Sequence, residues 1–337
     1  MWVSCIDKRE LEIMSDRIAE YNEKLDSVHK EIGKAVIGQK DVLDAVFTCM
    51  LSNGNILLEG APGLAKTLLI MSIAKTVKET KFQRIQFTPD LLPADILGIS
   101  AYDPEKGFYT MKGPIFANFI LADEINRAPP KVQSAMLSVM QEKIVVIGKE
   151  TFPLPPPFFV MATQNPLEQQ GVYPLPEAQI DRFLFKIAVK YPKKEEERLI
   201  VDHNTMINDF ESYDIENVLV PQDIFDMQSI VKEVYLAPEI KHYIVELINA
   251  TRNPEEYGMK YGKYIDWGAS PRASIALLIT AKAHAFLENR AYVLPEDVRE
   301  VAHNVLRHRI ILNYEGKAVE LETDTIIDEI LRSVAVL

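Results

Sequence analysis

Cysteine and tryptophan are scarce in this 337-residue chain, with two of each. Two cysteines, Cys5 and Cys49, cannot build a disulfide framework and lack metal-ligand spacing. That fits a reducing cytoplasm, and it leaves Cys49, inside the apolar run DAVFTCML, as a small core residue. Trp2 and Trp267 mark no cofactor box. No stretch approaches the roughly 18 uncharged apolar residues of a membrane-spanning helix, so no transmembrane segment is expected. Met1 to Glu31 mixes acids and bases without an apolar run, so no secretory signal is expected there. Low-complexity tracts and internal repeats are missing. Positive charge is also in deficit, 37 basic against 49 acidic side chains for a net charge of -12. A general nucleic-acid binder needs a cationic surface to displace counterions, so that class is disfavoured. A local basic pore in an oligomer escapes the argument. The six histidines offer no metal geometry; His303 and His308, for instance, are five apart in a helical segment.

What is present is an ordinary globular composition, 47% hydrophobic and 26% charged, at a length that fits about two domains. Residues 9–50 read as helical, with Met14, Ile18, Tyr21 and Leu25 near the 3.6-residue period and a break at Gly38. Five apolar runs then alternate with helical patterns, at 55–60, 82–88, 117–125, 158–165 and 183–189. Strands alternating with helices predict an α/β domain built on a parallel sheet. Two interruptions depart from the minimum, a Pro/Gly-punctuated insert at 89–116 and a hairpin at 143–157 turning near Gly148-Lys149. Past residue 192 the strand pattern stops, and helices are expected at 193–209, 221–232, 238–252, 271–289 and 295–310. Pro221, Pro238, Pro271 and Pro295 sit at their starts, where a missing N–H costs nothing. The chain therefore divides into 1–192, an α/β core with N-terminal helices, and 193–337, a helical domain.

The stretch ILLEGAPGLAKTLLI, residues 56–70, carries the chemistry. Gly60, Ala61, Pro62, Gly63, Leu64, Ala65, Lys66 and Thr67 lie one residue from the phosphate-binding pattern G-x-x-x-x-G-K-[ST], with Ala65 where the pattern has glycine. Such a loop aims backbone N–H groups and a helix N-terminus at an anion. Lys66 reaches the outer phosphates and Thr67 offers a hydroxyl to Mg²⁺. Ala65 is expected in the opening turn of the helix, at negative φ, where alanine is a good helix former. The loop should therefore still hold the phosphates of a nucleotide. In FILADEINR, Asp123 is a candidate Mg²⁺ ligand and Glu124 the group that polarises the attacking water, both at a strand's carboxyl end, where ligands bind. Asn165 ends the next strand and supplies a neutral amide that holds water or senses the γ-phosphate. Arg182, before the fifth strand, would complete a neighbour's site, which requires a head-to-tail ring. Arg272 sits near a helix N-terminus, where a cation opposes the dipole, so an anionic partner is expected and a role coupling the lid to the phosphate is open.

These motifs, in this order over roughly residues 30–310, resemble the AAA+ ATPases, and among them the MoxR family. LLEGAPGLAKT is similar to the family's phosphate loop, alanine included; ILADEINRAPPKVQSAML resembles its Walker B segment, ATQNP sensor 1, LPEAQIDRF the arginine-finger segment and GASPRA sensor 2. The resemblance implies that Val36, Ile37 and Gly38 border the adenine, with Leu68 closing the nucleotide-binding set. It implies a P-loop αβα sandwich on a five-stranded sheet with an all-helical lid, and identifies 89–116 as the helix-2 insert and 143–157 as the pre-sensor-1 hairpin. It further implies a ring, usually a hexamer, that remodels, matures or activates a client protein, often with a von Willebrand factor A-domain partner. Rival readings are a nucleotide-gated module of slow turnover, a metal-chelatase motor subunit, and a nucleic-acid motor.

Overall fold

The computed structural model describes residues 8–105, 107–166, 171–203 and 209–336; Trp2, Cys5 and the 204–208 end of one expected helix lie outside them. In chain order the N-terminal half runs α1 (Lys8–Gly33), α2 (Lys40–Leu51), β1 (Ile56–Glu59), α3 (Lys66–Thr76), β2 (Phe82–Gln86), α4 (Pro93–Leu97), β3 (Gly98–Asp103), β4 (Gly107–Lys112), β5 (Phe119–Asp123), α5 (Pro130–Glu142), β6 (Ile144–Ile147), β7 (Glu150–Pro153), β8 (Phe159–Gln164), α6 (Glu177–Ile180) and β9 (Phe185–Ala188). The C-terminal half runs α7 (Lys194–His203), α8 (Pro221–Glu233), α9 (Pro238–Arg252), β10 (Ile265–Trp267), α10 (Pro271–Leu287), α11 (Pro295–Leu306), β11 (Ile311–Leu312), α12 (Tyr314–Ala318) and α13 (Thr323–Ser333).

The five apolar runs form one parallel sheet in the order β2-β5-β8-β1-β9. Side chains alternate across a strand. Ile56 and Leu58 of β1, with Phe119 and Leu121 of β5, enter one apolar cluster; Leu57, Ile120 and Ala122 enter the other. The first cluster takes Leu69, Ile70 and Ile73 of α3 and continues into α1, α2 and the C-terminal helices. The second takes Val132, Met136, Leu137 and Met140 of α5. Cover on both faces explains why the inner strands β1, β5 and β8 read as near-continuous apolar runs, while the edge strands β2 and β9 are only partly buried. The registers Glu59↔Gln164 and Gln86↔Asp123 bring four carboxyl ends to one edge.

The two inserts stand outside this sheet as hairpins, β3–β4 and β6–β7. Gly98 has φ +107, and a Cβ there would lie 2.2 Å from the Met111 carbonyl oxygen, so only glycine closes the base of the first hairpin. Thr110 Oγ1 donates to Glu150 Oε2 at 2.8 Å, tying the hairpins together. In the C-terminal half, each of the four prolines opens a helix. One feature escapes the helical pattern: β10 and β11 form a small antiparallel ladder. The N-terminal α1 reaches this half, with Lys24 Nζ 2.9 Å from Asp223 and Asn22 Nδ2 donating to the Phe286 carbonyl. Among the described residues no helix is long and apolar enough to cross a membrane.

Candidate functional site

The loop after β1 and the start of α3 form one wall of a cavity of about 450 Å³ at the carboxyl edge of the sheet. Pro62, Gly63, Leu64, Ala65, Lys66, Thr67 and Leu68 line it on one side, with Asp123, Glu124, Thr163, Gln164 and Asn165 opposite. Gly63 takes φ +83, a region that favours glycine. Gly60 is buried at the loop's root, where a Cβ would lie 2.8 Å from the Val189 carbonyl oxygen. Ala65 corrects the sequence expectation. Its φ is +52, left-handed rather than helical, and it is the N-cap of α3, one position ahead of the first helical residue. The pattern's glycine therefore serves a positive φ, and alanine holds that conformation at a cost of about 1–2 kcal/mol. Ala65 has no side-chain acceptor, and α3 shows no side-chain cap. The leading N–H groups of the helix are thus left for an anion.

Lys66 Nζ lies across the loop, donating to the Gly60 carbonyl at 2.7 Å. Burial pulls its pKa below the ordinary lysine value, while Asp123, Glu124 and Glu59 oppose that shift. Each acid is held by neighbours the sequence reading did not single out. Thr163 Oγ1 donates to Asp123 Oδ1 at 2.7 Å and accepts the Glu124 N–H at 2.8 Å. Arg84 donates twice to Asp123 Oδ2, at 2.6 and 3.1 Å. Gln86 Nε2 and Arg127 Nη1 each donate to Glu124 Oε2 at 3.0 Å. Asn165 follows β8 directly and is buried at 8% exposure. The signal for Arg84 and Gln86 lay in FQRIQFT: the two share a strand face, and β2 pairs with the strand that ends at Asp123. Val36, Ile37, Gly38, Gly60 and Ala61 are not in the cavity wall, but Gln39 Nε2 donates to the Leu64 carbonyl at 3.0 Å and so joins the 36–38 segment to the loop.

Arg182 and Arg272 are elsewhere. They line a second cavity, about 400 Å³, together with Asn55, Lys143, Asp181 and Arg309. Asn55 precedes β1 and Asp181–Leu184 precede β9, so this cavity opens at the amino edge of the sheet, opposite the phosphate loop. Arg182 is exposed, and its side chain has no hydrogen-bond or ion-pair partner among the described residues. Arg272, in the first turn of α10, finds an anionic partner in Asp181, Nη1 to Oδ2 at 3.3 Å. The two arginines are brought together, and neither joins Lys66.

Comparison with known proteins agrees with this geometry. Residues 55–185 match the model of the ATPase family associated with various cellular activities (AAA), and residues 262–330 that of the AAA lid domain. Over 307 residues the chain is 47% identical to the chaperone MoxR1 of Mycobacterium tuberculosis, covering 90% of this chain and 80% of that one. Protein MoxR of Methylorubrum extorquens is 30% identical over 314 residues, covering 88% and 91%. A solved structure from Cytophaga hutchinsonii, 48% identical, superposes with a TM-score of 0.89 over 97% of this chain and 99% of that one.

Proposed function

Because the chain belongs to the MoxR family of AAA+ ATPases, we propose that it binds Mg·ATP at the carboxyl edge of its sheet and hydrolyses it within a ring, a hexamer, to remodel or activate a client protein. The observation that carries this reading is the convergence of Lys66, Thr67, Asp123, Glu124 and Asn165 on one cavity. Backbone amides from Gly63 to Leu68 take the phosphates, and Lys66 turns from the Gly60 carbonyl to the outer ones. The Thr67 hydroxyl and the Asp123 carboxylate are hard oxygen donors, the set Mg²⁺ accepts when phosphates and water supply its other ligands. Thr67 and Asp123 would hold the ion, which would supply charge neutralisation for the phosphates. Glu124 orients the attacking water, Asn165 contacts the γ-phosphate, and Val36, Ile37 and Gly38 border the adenine.

The four residues of β1 put three rises of about 3.3 Å, roughly 10 Å, between its ends, before the turns at either edge add to the separation. The arginines at the amino edge are thus out of reach of their own phosphate loop. In this reading Arg182 and Arg272 serve the next subunit, spreading transition-state charge there. The chain divides near residue 192 into the nucleotide-binding core and the lid. The chaperone role named for the mycobacterial relative would apply here to a cytoplasmic client, with a von Willebrand factor A-domain protein as the partner to test. Turnover by Glu124→Gln should fall about 10²- to 10⁴-fold while ATP binding persists, and Lys66→Ala should lose binding. Equal turnover in wild type and Glu124→Gln overturns the proposal. The same ATP-trapped variant is the bait for capturing the client.

A further inference from the structure

Arg309 follows α11, and its side chain is 4% exposed, an unusual place for a guanidinium. Burying that charge costs several kcal/mol unless its donors are met. All five are. Nε donates to Asp181 Oδ1 at 2.7 Å; Nη1 donates to the Leu184 carbonyl at 3.1 Å and to the Val305 carbonyl; Nη2 donates to the Phe183 carbonyl at 2.7 Å and the Asp181 carbonyl at 3.3 Å. Four of these bonds fall on Asp181–Leu184, the segment that carries Arg182. They grip the backbone on both sides of it. The neighbours of Arg309 act alongside: Arg307 Nη1 donates to the Lys186 carbonyl at 2.7 Å, and His308 Nε2 lies 3.1 Å from the Phe183 carbonyl oxygen. The carboxylate that receives Arg309 also receives Arg272 through its other oxygen. One buried cation from the lid side thereby fixes the segment bearing one exposed arginine and the anchor of the second.

We propose that Arg309 is a positioning residue for hydrolysis: through Asp181 and the 181–184 carbonyls it holds Arg182 and Arg272 in the arrangement that the adjoining subunit's triphosphate requires. The proposal rests on the reading that Arg182 serves a neighbour's site. Lysine at 309 keeps the charge but not the planar five-donor fork. Arg309→Lys should therefore bind a fluorescent ATP analogue as wild type does, since its own phosphate loop is intact, while its turnover falls about 10- to 100-fold. Its effect should also be correctable from outside. A Lys66→Ala subunit is dead at its own loop but presents an unaltered arginine face. Mixing it with Arg309→Lys should give turnover above the sum of the two alone, because the intact loop of one meets the intact arginines of the other.

The control mixture pairs Lys66→Ala with Arg182→Ala. Restoration in both mixtures supports the proposal. Restoration in the control but not with Arg309→Lys, in a variant whose thermal unfolding shows it folded, overturns it and leaves the neighbour-site reading standing. No restoration in the control overturns that reading and this one with it. Should Arg309→Lys fail to fold, Asp181→Asn replaces it in the same mixtures with the same expected outcomes: it keeps the shape and removes the charge that Arg309 and Arg272 share.

Discussion

Thr163 lies at 1% exposure, and one hydroxyl there serves both acids, accepting from the Glu124 N–H and donating to Asp123 Oδ1. Valine fills the same volume without the hydroxyl. A neutral hydrogen bond is worth about 1 kcal/mol net and one to a charged group about 1.5–3, so Thr163→Val should cost about 3 kcal/mol. At about 2.1 cal/mol/K per residue, unfolding the whole chain carries about 0.7 kcal/mol/K, which makes that loss a fall of about 4 °C in melting temperature. The second consequence is functional. With Asp123 released from one side, the Mg²⁺ concentration for half-maximal ATP turnover should rise about tenfold, equivalent to about 1.4 kcal/mol. Thr163→Ser keeps the hydroxyl and should restore most of both. Calorimetry and a Mg²⁺ titration of phosphate release provide the readings. A valine variant that melts and titrates like wild type refutes the reasoning, and so does a serine variant as impaired as valine.

Three further outcomes follow from the same geometry. Ala65→Gly relieves the cost of a left-handed alanine, about 1–2 kcal/mol, against about 0.5–1 lost to unfolded-chain entropy; a small rise in melting temperature is expected, and a fall would contradict the assigned φ of +52. Asp297 is fully buried; burial alone would raise its pKa, but hydrogen bonds from Arg290, His284 and the Leu294 N–H outweigh it and hold the carboxyl below its ordinary value. Its stabilisation is complete above about pH 3.9 and is lost as pH falls through the lower folded value, so Asp297→Asn, costing about 3–5 kcal/mol at neutral pH, should remove that acid limb from a melting-temperature profile. Burial, with the charges of Arg309, Lys186 and Arg307, keeps His308 neutral well below its usual range. Below about pH 6.5 the unfolded chain takes up a proton that the folded one refuses, so stability should drop by about 1.4 kcal/mol per unit, and His308→Phe should flatten that slope.

The inner strands β1, β5 and β8 were legible because each is buried on both faces and keeps an apolar run, while the edge strands β2 and β9 showed only apolar residues interspersed with polar ones between turn signals. The phosphate loop and the paired acids were legible because their residues are neighbours in the chain. Ala65 shows where that ends. Reading it as the helix's first turn gave the wrong sign of φ, since the helix begins one residue later. The glycine in the general pattern was itself the clue to a positive φ. The ladder of β10 and β11 gave no periodic signal, its strands being three and two residues long and far apart in sequence. Arg84 and Gln86 left a signal only in their shared strand face within FQRIQFT, and Thr163 left none: all three meet the acids through strand register, and a register cannot be read from any one strand.

Arg309 carries that argument furthest. In the sequence it is one of the run RHR inside the helix expected at 295–310, and nothing there singles it out. The fold reverses this by burying it against carbonyls more than a hundred residues earlier in the chain. The net charge of -12 is equally uninformative about the site. It is a sum over a surface, whereas the amino-edge cavity gathers Lys143, Arg182, Arg272 and Arg309 around the single carboxylate of Asp181. The carboxyl edge instead sets Asp123 and Glu124 beside Lys66. A triphosphate between subunits would join the two edges, its phosphates meeting guanidinium groups on one side and its metal meeting carboxylate on the other. Composition argues against a cationic surface and is silent about a cationic cavity, because two arginines held by one half-buried acid, with Arg182 and Lys143 beside them, leave the overall charge balance almost unchanged.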